Sequence, residues 1–371
     1  MPSRDAKGEP VRSKIASIQE LRNFPQTENV LPTDDIDLKA RDGFAEHTLV
    51  GLNLFFVKMA LQNPDILGLR IGDPMLSSKG INPLPTTERK LLEQAAERTA
   101  AIAIDNVARS NGALEARVTV TNKTGHKFPS GVGFRRAFIE FDVLDAKGNR
   151  LWSSGRTDAA GVIVDDAGQP IAGELWWKPD CSARIVPDAR IHQPHYEVVS
   201  SDKQAQIYQE LTAAPPKDGP ATCPSPTPRG ELTTSFLSIC SKVKDNRLLP
   251  KGFLPLRDRE TIAAAFSAGS DLAEEAGPTA VGDDPDYRTG GSDTLLYRVP
   301  LDAIKGTPDR VTATLYYQAT PPYYLQDRFC TSQSEDTKRL YFLAGNLDLA
   351  STPAASWKLK LVSATRPVPA K

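Results

Sequence analysis

The chain has 371 residues, of which 40% are hydrophobic and 25% are charged, so its composition allows a sizeable globular core. The 45 lysines and arginines nearly balance the 46 aspartates and glutamates, and the net charge of -1 argues against a broad surface for nucleic acids or anionic membranes. No apolar run reaches membrane-spanning length, because the longest, over residues 49–60, is interrupted by Asn53 and Lys58.

The first third of the chain is predicted to contain a lead-in and two helices. Residues 1–43 are expected to be extended or loop-like, since prolines interrupt them and no apolar period lasts. Residues 44–110 are predicted as a helical segment. Its second helix runs from about residue 88 to residue 108, with a cap at residues 85–87 and a stop at Asn111-Gly112.

The first helix, over residues 44–62, is apolar around most of its circumference, and His47 lies on the same face as Val50 and Leu54. One face of a sandwich covers only part of such a helix. We therefore expect an exposed apolar patch near His47, with His126 or His195 at its rim. The alternative is that residues 1–43 fold back and bury the helix. In that case four large side chains are all covered: Leu52, Phe55, Phe56 and Met59.

After Gly112 the apolar period changes from 3.6 residues to 2, which predicts strands. Alternation is clearest over residues 114–120, 139–143 and 311–317, and turn residues at 145–149 and 165–168 indicate hairpins. Closing strands are predicted at residues 340–343 and 357–361. The predicted fold class is α+β, mainly β: an antiparallel β-sandwich domain over residues 111–371, preceded by the short helical segment.

The four cysteines, Cys181, Cys223, Cys240 and Cys330, are widely spaced and contain no Cys-x-x-Cys pair. This spacing disfavours a metal site and leaves two alternatives, which are two disulfides in an exported protein or four buried thiols.

The first twelve residues are polar and charged, so they do not have the pattern of a signal peptide. Taken alone, they predict a cytoplasmic chain.

The chain has four histidines, and imidazole is a common ligand of transition metals. His126 lies in a turn between two predicted strands, where Gly125 and Pro129 favour a fixed backbone. The alternative is a loop histidine bonded to the backbone. His192 and His195 form a His-Gln-Pro-His sequence, but a zinc site built from them lacks an obvious third ligand.

Acidic residues cluster around Gly290-Gly291, and oxygen-rich loops suit calcium. They are Asp283, Asp284, Asp286 and Asp293. Their spacing is not that of an EF-hand, and a solvated acidic loop is the alternative. No paired carboxylates, Ser/His/Asp set or Cys/His dyad predicts a hydrolase.

Several blocks of sequence resemble multihaem c-type cytochromes. The first, Asn-Lys-Thr-Gly-His-Lys-Phe-Pro-Ser-Gly at residues 122–131, precedes an Arg135-Arg136 pair and a predicted strand. The later blocks are Pro194-His195, residues 204–208, Lys-Asp-Asn-Arg-Leu-Leu-Pro at residues 244–250, residues 290–293 with Tyr297, and residues 315–318. Over roughly residues 44–361, the chain thus resembles the C-terminal β-rich domain of that family, and the first block together with residues 244–250 is fairly specific.

The resemblance implies a periplasmic redox protein in which His126 is an axial ligand of haem iron, with His195 and His47 as further candidates. Covalent attachment of haem c needs Cys-x-x-Cys-His, and this chain has no such motif. Haem c (heme c) is therefore expected to be supplied in trans, and the Met1-Pro2 start is expected to be the tail of a haem motif in a truncated or split gene product.

The predicted function is an electron-transfer accessory domain, which supplies His ligands and packing surface to haems held by an upstream segment or a partner redox protein. It is not expected to be an enzyme on its own, but part of a multihaem oxidoreductase. The alternative is a haem-free β-sandwich binding module for calcium, a glycan or a protein. His126 is expected on a loop at the edge of the sandwich, facing the helical segment, with an accessible ring and one ring nitrogen held by a backbone or carboxylate partner.

Overall fold

The structure is a computed structural model of the chain. It describes residues 50–75, 81–185, 191–216, 230–266 and 270–369, together with Glu9, Ser13–Lys14, Ala40–Arg41 and Cys223. The chain divides into two compact units, residues 1–51 and 52–371. In the first unit, β1 (Ser13–Lys14) pairs antiparallel with β2 (Ala40–Arg41). Apart from Glu9, the rest of the predicted lead-in lies outside the described residues, and so does His47.

The second unit begins with α1 (Leu54–Gln62), α2 (Leu84–Glu93) and a π-helical segment (Gln94–Thr99). The next strands are β3 (Ala100–Ser110), β4 (Ala113–Asn122), β5 (Arg136–Leu144), β6 (Arg150–Ser154), β7 (Val198–Val199), β8 (Ile207–Ala213), β9 (Leu232–Thr233) and β10 (Ser241–Asp245). Three helices follow: α3 (Leu256–Ala265), α4 (Ser270–Glu275) and α5 (Asp286–Thr289). The last elements are β11 (Ser292–Pro300), β12 (Arg310–Gln318), α6 (Pro322–Thr331), α7 (Glu335–Gly345) and β13 (Leu359–Pro367).

Two larger sheets make up the β-rich part of this unit. One has the order β10-β8-β5-β12-β13, with β6 also paired to β5 and β9 to β8. The other has the order β3-β4-β11-β7. Among the described strands, only β7 and β11 pair in parallel, and every other pairing is antiparallel. The alternation predicted from sequence is thus realised as two mostly antiparallel sheets.

The two sheets share one apolar core. Phe141 of β5 stacks on Tyr297 of β11, with ring centroids 4.0 Å apart and ring planes 9° from parallel. Ile139 and Val118, from opposite sheets, are completely buried in the same cluster. Burial of apolar surface from both sheets is the main stabilising contribution of such an arrangement. The predicted class, α+β and mainly β with a sandwich-like core, is confirmed.

The second predicted helix is wrong beyond residue 99. Ala100–Ser110 is strand β3, which pairs with β4. A register shift between Ile104 and Asn106 marks a β-bulge, which brings Ile104 and Val107 to the buried face although they are three residues apart. That spacing imitates one turn of a helix. The closing strand predicted at residues 340–343 is also wrong, because those residues lie within α7.

The helix α1 is partly covered by the second unit itself. Phe55 is completely buried and stacks on Trp357 at 4.8 Å between ring centroids. Met59 is also buried, whereas Phe56 is 52% exposed and Leu52 is half-buried. One large apolar side chain of this helix is therefore left in solvent within the described structure.

The four cysteines form two disulfides. Cys181 pairs with Cys330 and Cys223 with Cys240, with Cα–Cα distances of 5.1 and 5.4 Å. The prediction of bridging pairs is confirmed, and the alternative of four buried thiols is wrong. Disulfides form and persist in oxidising compartments, so the two bridges suggest an extracytoplasmic environment. Of the helices in the described part of the chain, none is both long and apolar enough to span a membrane.

Candidate functional site

His126 lies on the loop between β4 and β5, and its side chain is exposed. Its Nδ1–H donates to the backbone carbonyl oxygen of Lys127 at 2.9 Å. A carbonyl only accepts, so this bond fixes the proton on Nδ1 and leaves the Nε2 lone pair free. Within the described residues, no hydrogen bond engages Nε2. The expected accessible ring, with one nitrogen held by backbone, is found at this position.

The loop that carries His126 is fixed by Asn122 at the end of β4. The Asn122 side chain is buried, and its amide nitrogen donates to the carbonyl oxygens of His126 and Leu248 at 2.8 and 3.0 Å. Its amide oxygen accepts from the backbone N–H of Thr124 at 2.8 Å. Phe128 and Leu248 exchange two backbone hydrogen bonds. The loop is therefore tied on one side to β4 and on the other to residues 245–248.

The next residue, Lys127, forms a buried ion pair on the inner side of the loop. Its Nζ lies 2.7 Å from Oδ2 of Asp245, which is completely buried and also accepts from Arg247. Burial alone would raise the pKa of Asp245, but Arg247 and Lys127 outweigh it and hold that pKa below its ordinary value. For Lys127, burial lowers the pKa and Asp245 only partly offsets the effect.

His195 is enclosed instead. Its side chain is 3% exposed, although its backbone reaches the surface. Its Nε2 lies 2.8 Å from Oδ2 of Asp284, and its Nδ1 lies 2.9 Å from the amide nitrogen of Gln206 and 3.3 Å from that of Asn246. Burial lowers the pKa of His195, and the hydrogen bond with Asp284 only partly offsets this.

The tautomer of His195 follows from its amide neighbours. The Gln206 amide oxygen accepts from the backbone N–H of Tyr196, and the Asn246 amide oxygen accepts from that of Gln209. Both amides are therefore oriented with their NH₂ groups toward His195, whose Nδ1 must accept. Nε2 then carries the proton and donates it to Asp284. Neither ring nitrogen has a free lone pair, so this ring does not fit as a haem-iron ligand.

The predicted acidic cluster comes together only in part. Within the described residues, one group of three or more potential metal ligands forms, with atoms of His195, Asp284 and Asp293 within 4.8 Å of one another. Asp286 accepts instead from the backbone N–H of Thr294 at 2.7 Å. Because His195 has no free lone pair here, the group does not fit a metal ion as it stands.

The partners of His195 were not predicted from sequence, although a signal for them was present. Gln206, Asn246 and Asp293 all belong to blocks that carried the resemblance, but Gln206 and Asn246 were assigned no role and Asp293 was considered only for a calcium site. In the structure these blocks meet in one buried polar network. Segments that are far apart in sequence therefore pack around His195.

Among the cavities bordered by described residues, two of the larger ones lie away from the histidines. One, of about 580 Å³, is bordered by Phe134, Trp176 and Lys242. The other, of about 810 Å³, is mainly apolar and is bordered by Phe329, Tyr341 and Trp357. None of the described histidines borders either cavity.

Comparison with known proteins gives little further information. No protein-family model matches the sequence, and no curated protein matches it. Among solved structures, the crystal structure of a penta-heme cytochrome c552 from Thermochromatium tepidum matches with a TM-score of 0.32 and 12% sequence identity. The match covers 75% of this chain and 41% of that chain, so this chain spans less than half of that cytochrome. A likeness this distant carries no argument about function.

Proposed function

We propose that this chain is an electron-transfer accessory domain in which Nε2 of His126 is an axial ligand to the iron of a haem attached elsewhere. The observation that carries the proposal is the state of the His126 ring. It is exposed, its Nδ1–H is donated to the Lys127 carbonyl, and its Nε2 lone pair has no hydrogen-bond partner among the described residues. Metal-ligating histidines commonly have this arrangement, with the second nitrogen held by a carbonyl.

A fixed loop supports the same role. A ligand contributed in trans loses less conformational freedom on binding when its backbone is already rigid. Asn122 and the Lys127–Asp245 ion pair fix the loop on both sides of His126. The bound haem would supply the redox chemistry, and the part of this chain is to hold the imidazole at a set angle and to cover the haem edge.

The other two candidates differ from His126. His47 lies outside the described residues and is kept as a second proposed ligand. We do not assign the role to His195, because both its ring nitrogens are engaged and its side chain is 3% exposed. With no Cys-x-x-Cys-His motif, haem attachment belongs to another segment or chain, and a periplasmic location is proposed from the resemblance and the two disulfides.

A haem-free binding module is the second candidate function. The apolar cavity of about 810 Å³ between α6, α7 and Trp357 favours it, because its size is typical of small-molecule sites. A calcium-dependent version has less support, since only Asp284 and Asp293 of the four predicted acidic residues come together.

The test uses a ferric haem c peptide that has one vacant axial position. We expect the wild-type chain to shift the Soret band of this peptide to that of a six-coordinate, bis-histidine haem. The variant His126→Ala should bind at least about tenfold more weakly, since one coordinate bond is lost. The variant His192→Ala, in a different histidine-containing segment, is the matched control and should bind like wild type.

Equal binding by wild type and His126→Ala would contradict the proposal. So would wild-type binding no tighter than that of N-acetylhistidine, because a prepared ligand should exceed a free one. In either case, the binding-module function becomes the better candidate.

A further inference from the structure

Asp293 of β11 is a buried carboxyl group with one unused oxygen. The residue is 1% exposed. Its Oδ2 accepts hydrogen bonds from the Gln206 amide at 3.0 Å and from the Tyr208 hydroxyl at 2.7 Å. Its Oδ1 is buried and has no hydrogen-bond partner among the described residues. An ionised carboxylate would need a partner for that oxygen, or a cation nearby.

No cation meets that need. Lys244 is completely buried in the same region, but its Nζ donates to three backbone carbonyl oxygens, those of Gln193 at 3.0 Å, Pro194 at 3.3 Å and Ile207 at 2.8 Å. These three bonds use all the N–H groups that an ammonium has. In the described structure, no ion pair to Asp293 forms.

The other groups that face Asp293 are neutral or negative. Besides Lys244 on β10, whose N–H groups are already engaged, they are Gln206 and Tyr208 at β8, His195 on its loop, Asp284 before α5, Asp286 and Tyr287 in α5, and Tyr297 on β11 itself. His195 is held neutral by its amide neighbours, and Asp284 accepts its proton-bearing Nε2. Two carboxyl groups this close do not both ionise readily in a buried site.

We propose that the surroundings of Asp293 form a proton-binding site: Asp293 carries a proton on Oδ1 in the folded protein in weakly acidic solution, and the junction of β8, β11 and the His195 loop weakens when that proton leaves. A proton removes the buried charge, which is strongly unfavourable when it is unpaired. Burial is the largest cause that raises the pKa of Asp293, and the negative charges of Asp284 and Asp286 raise it further. The hydrogen bonds from Tyr208 and Gln206 lower it, and the net result is a pKa of about 7.

The sign of the pH dependence follows from this. An aspartate in the unfolded chain has a pKa of about 3.9, so the folded state binds more protons between about pH 4 and pH 7. The contribution of Asp293 to the stability of the folded state is greatest below that pH range and is lost as the pH rises through it. Above about pH 7 this contribution is constant.

The first measurement is urea unfolding of the disulfide-intact protein from pH 5 to pH 8. For wild type, we expect the unfolding equilibrium constant to rise by at least about tenfold across this range. Asp293→Asn keeps the shape of the group without its charge and should remove most of that rise. Asp283→Asn, an exposed residue near α5, is the matched control and should keep the wild-type profile.

The second measurement is infrared spectroscopy of the folded protein, which remains informative if Asp293→Asn folds poorly. At pH 6, wild type and Asp283→Asn should both show the C=O stretching band of a buried protonated carboxylic acid, and the band should disappear on raising the pH to 9. Absence of that band, or a pH profile of Asp293→Asn identical to wild type, overturns the proposal. A stoichiometric divalent metal in purified wild type that is absent from Asp293→Asn overturns it as well.

Discussion

Lys127 and Asp245 form an ion pair with 2.7 Å between Nζ and Oδ2, 118 residues apart in sequence. Asp245 is completely buried, so removal of its charge leaves Lys127 and Arg247 without their shared partner. Breaking a buried pair in this way typically costs about 3–5 kcal/mol. We expect Asp245→Asn to lower the free energy of unfolding by that amount, measured by urea denaturation at pH 7.

The control for this pair is the exposed pair of Lys338 and Glu335 on α7, whose side chains are 59% and 84% exposed. The variant Glu335→Gln should change the stability by less than about 1 kcal/mol, because exposed pairs are screened by solvent. Equal effects of the two variants would mean that the Lys127–Asp245 pair is not a specific tie between its two segments.

Asn122 should matter for both stability and ligand geometry. The Asn122 side chain forms hydrogen bonds with the backbone of His126, Leu248 and Thr124, so Asn122→Ala removes three bonds that fix the loop. We expect a loss of about 2–4 kcal/mol in the free energy of unfolding. We also expect weaker binding of the haem c peptide, with a smaller loss of affinity than that caused by His126→Ala. The neighbouring variant Thr121→Ala, at an exposed strand position, should leave both unchanged.

The two disulfides should stabilise the fold unequally. The Cys181–Cys330 bridge spans 149 residues and the Cys223–Cys240 bridge spans 17. Loop-closure entropy gives about 5 kcal/mol for the longer loop and about 3 kcal/mol for the shorter one. Double serine variants of each pair, compared by thermal unfolding, should therefore show the larger loss for Cys181 and Cys330. The reverse order would mean that native contacts, rather than chain entropy, dominate.

Lys244 should make the free energy of unfolding rise with pH above about pH 7. Burial lowers its pKa to about 7, whereas a lysine in the unfolded chain has a pKa of about 10.4. The folded state then binds fewer protons from pH 7 upward, so unfolding becomes less favourable as the pH rises, by at most about 1.4 kcal/mol per pH unit. Lys244→Met should remove this slope between pH 7 and pH 9. A slope that persists in the variant belongs to another group.

The strands with clean alternation were predictable from sequence. Residues 114–120 and 311–317 lie within β4 and β12, where one face packs on the core and the period of 2 is preserved. Strand β3 was not predictable in the same way, because the bulge after Ile104 breaks the period and alanines have high helix propensity. The local sequence pattern of residues 100–110 predicted a helix, but pairing with β4 determines their conformation as a strand.

The candidate site was also predictable from the sequence only in part. His126 could be placed on an exposed turn because its own neighbours, Gly125 and Pro129, define that turn. The environment of His195 could not be predicted, since Asp284 lies 89 residues away and Asn246 lies 51 residues away. The atoms that form hydrogen bonds with an imidazole depend on the tertiary fold, and they cannot be predicted from the spacing of residues in the sequence.

The longer disulfide encloses the shorter one, because Cys223 and Cys240 both lie between Cys181 and Cys330. A protease that cuts one peptide bond anywhere within residues 182–329 therefore releases no fragment. The two pieces stay covalently joined through Cys181 and Cys330, and they migrate as a single species on a gel without reductant. Limited proteolysis of this chain therefore requires reducing gels to reveal a cut, and a nicked molecule can keep β5, β12 and β13 paired in one sheet.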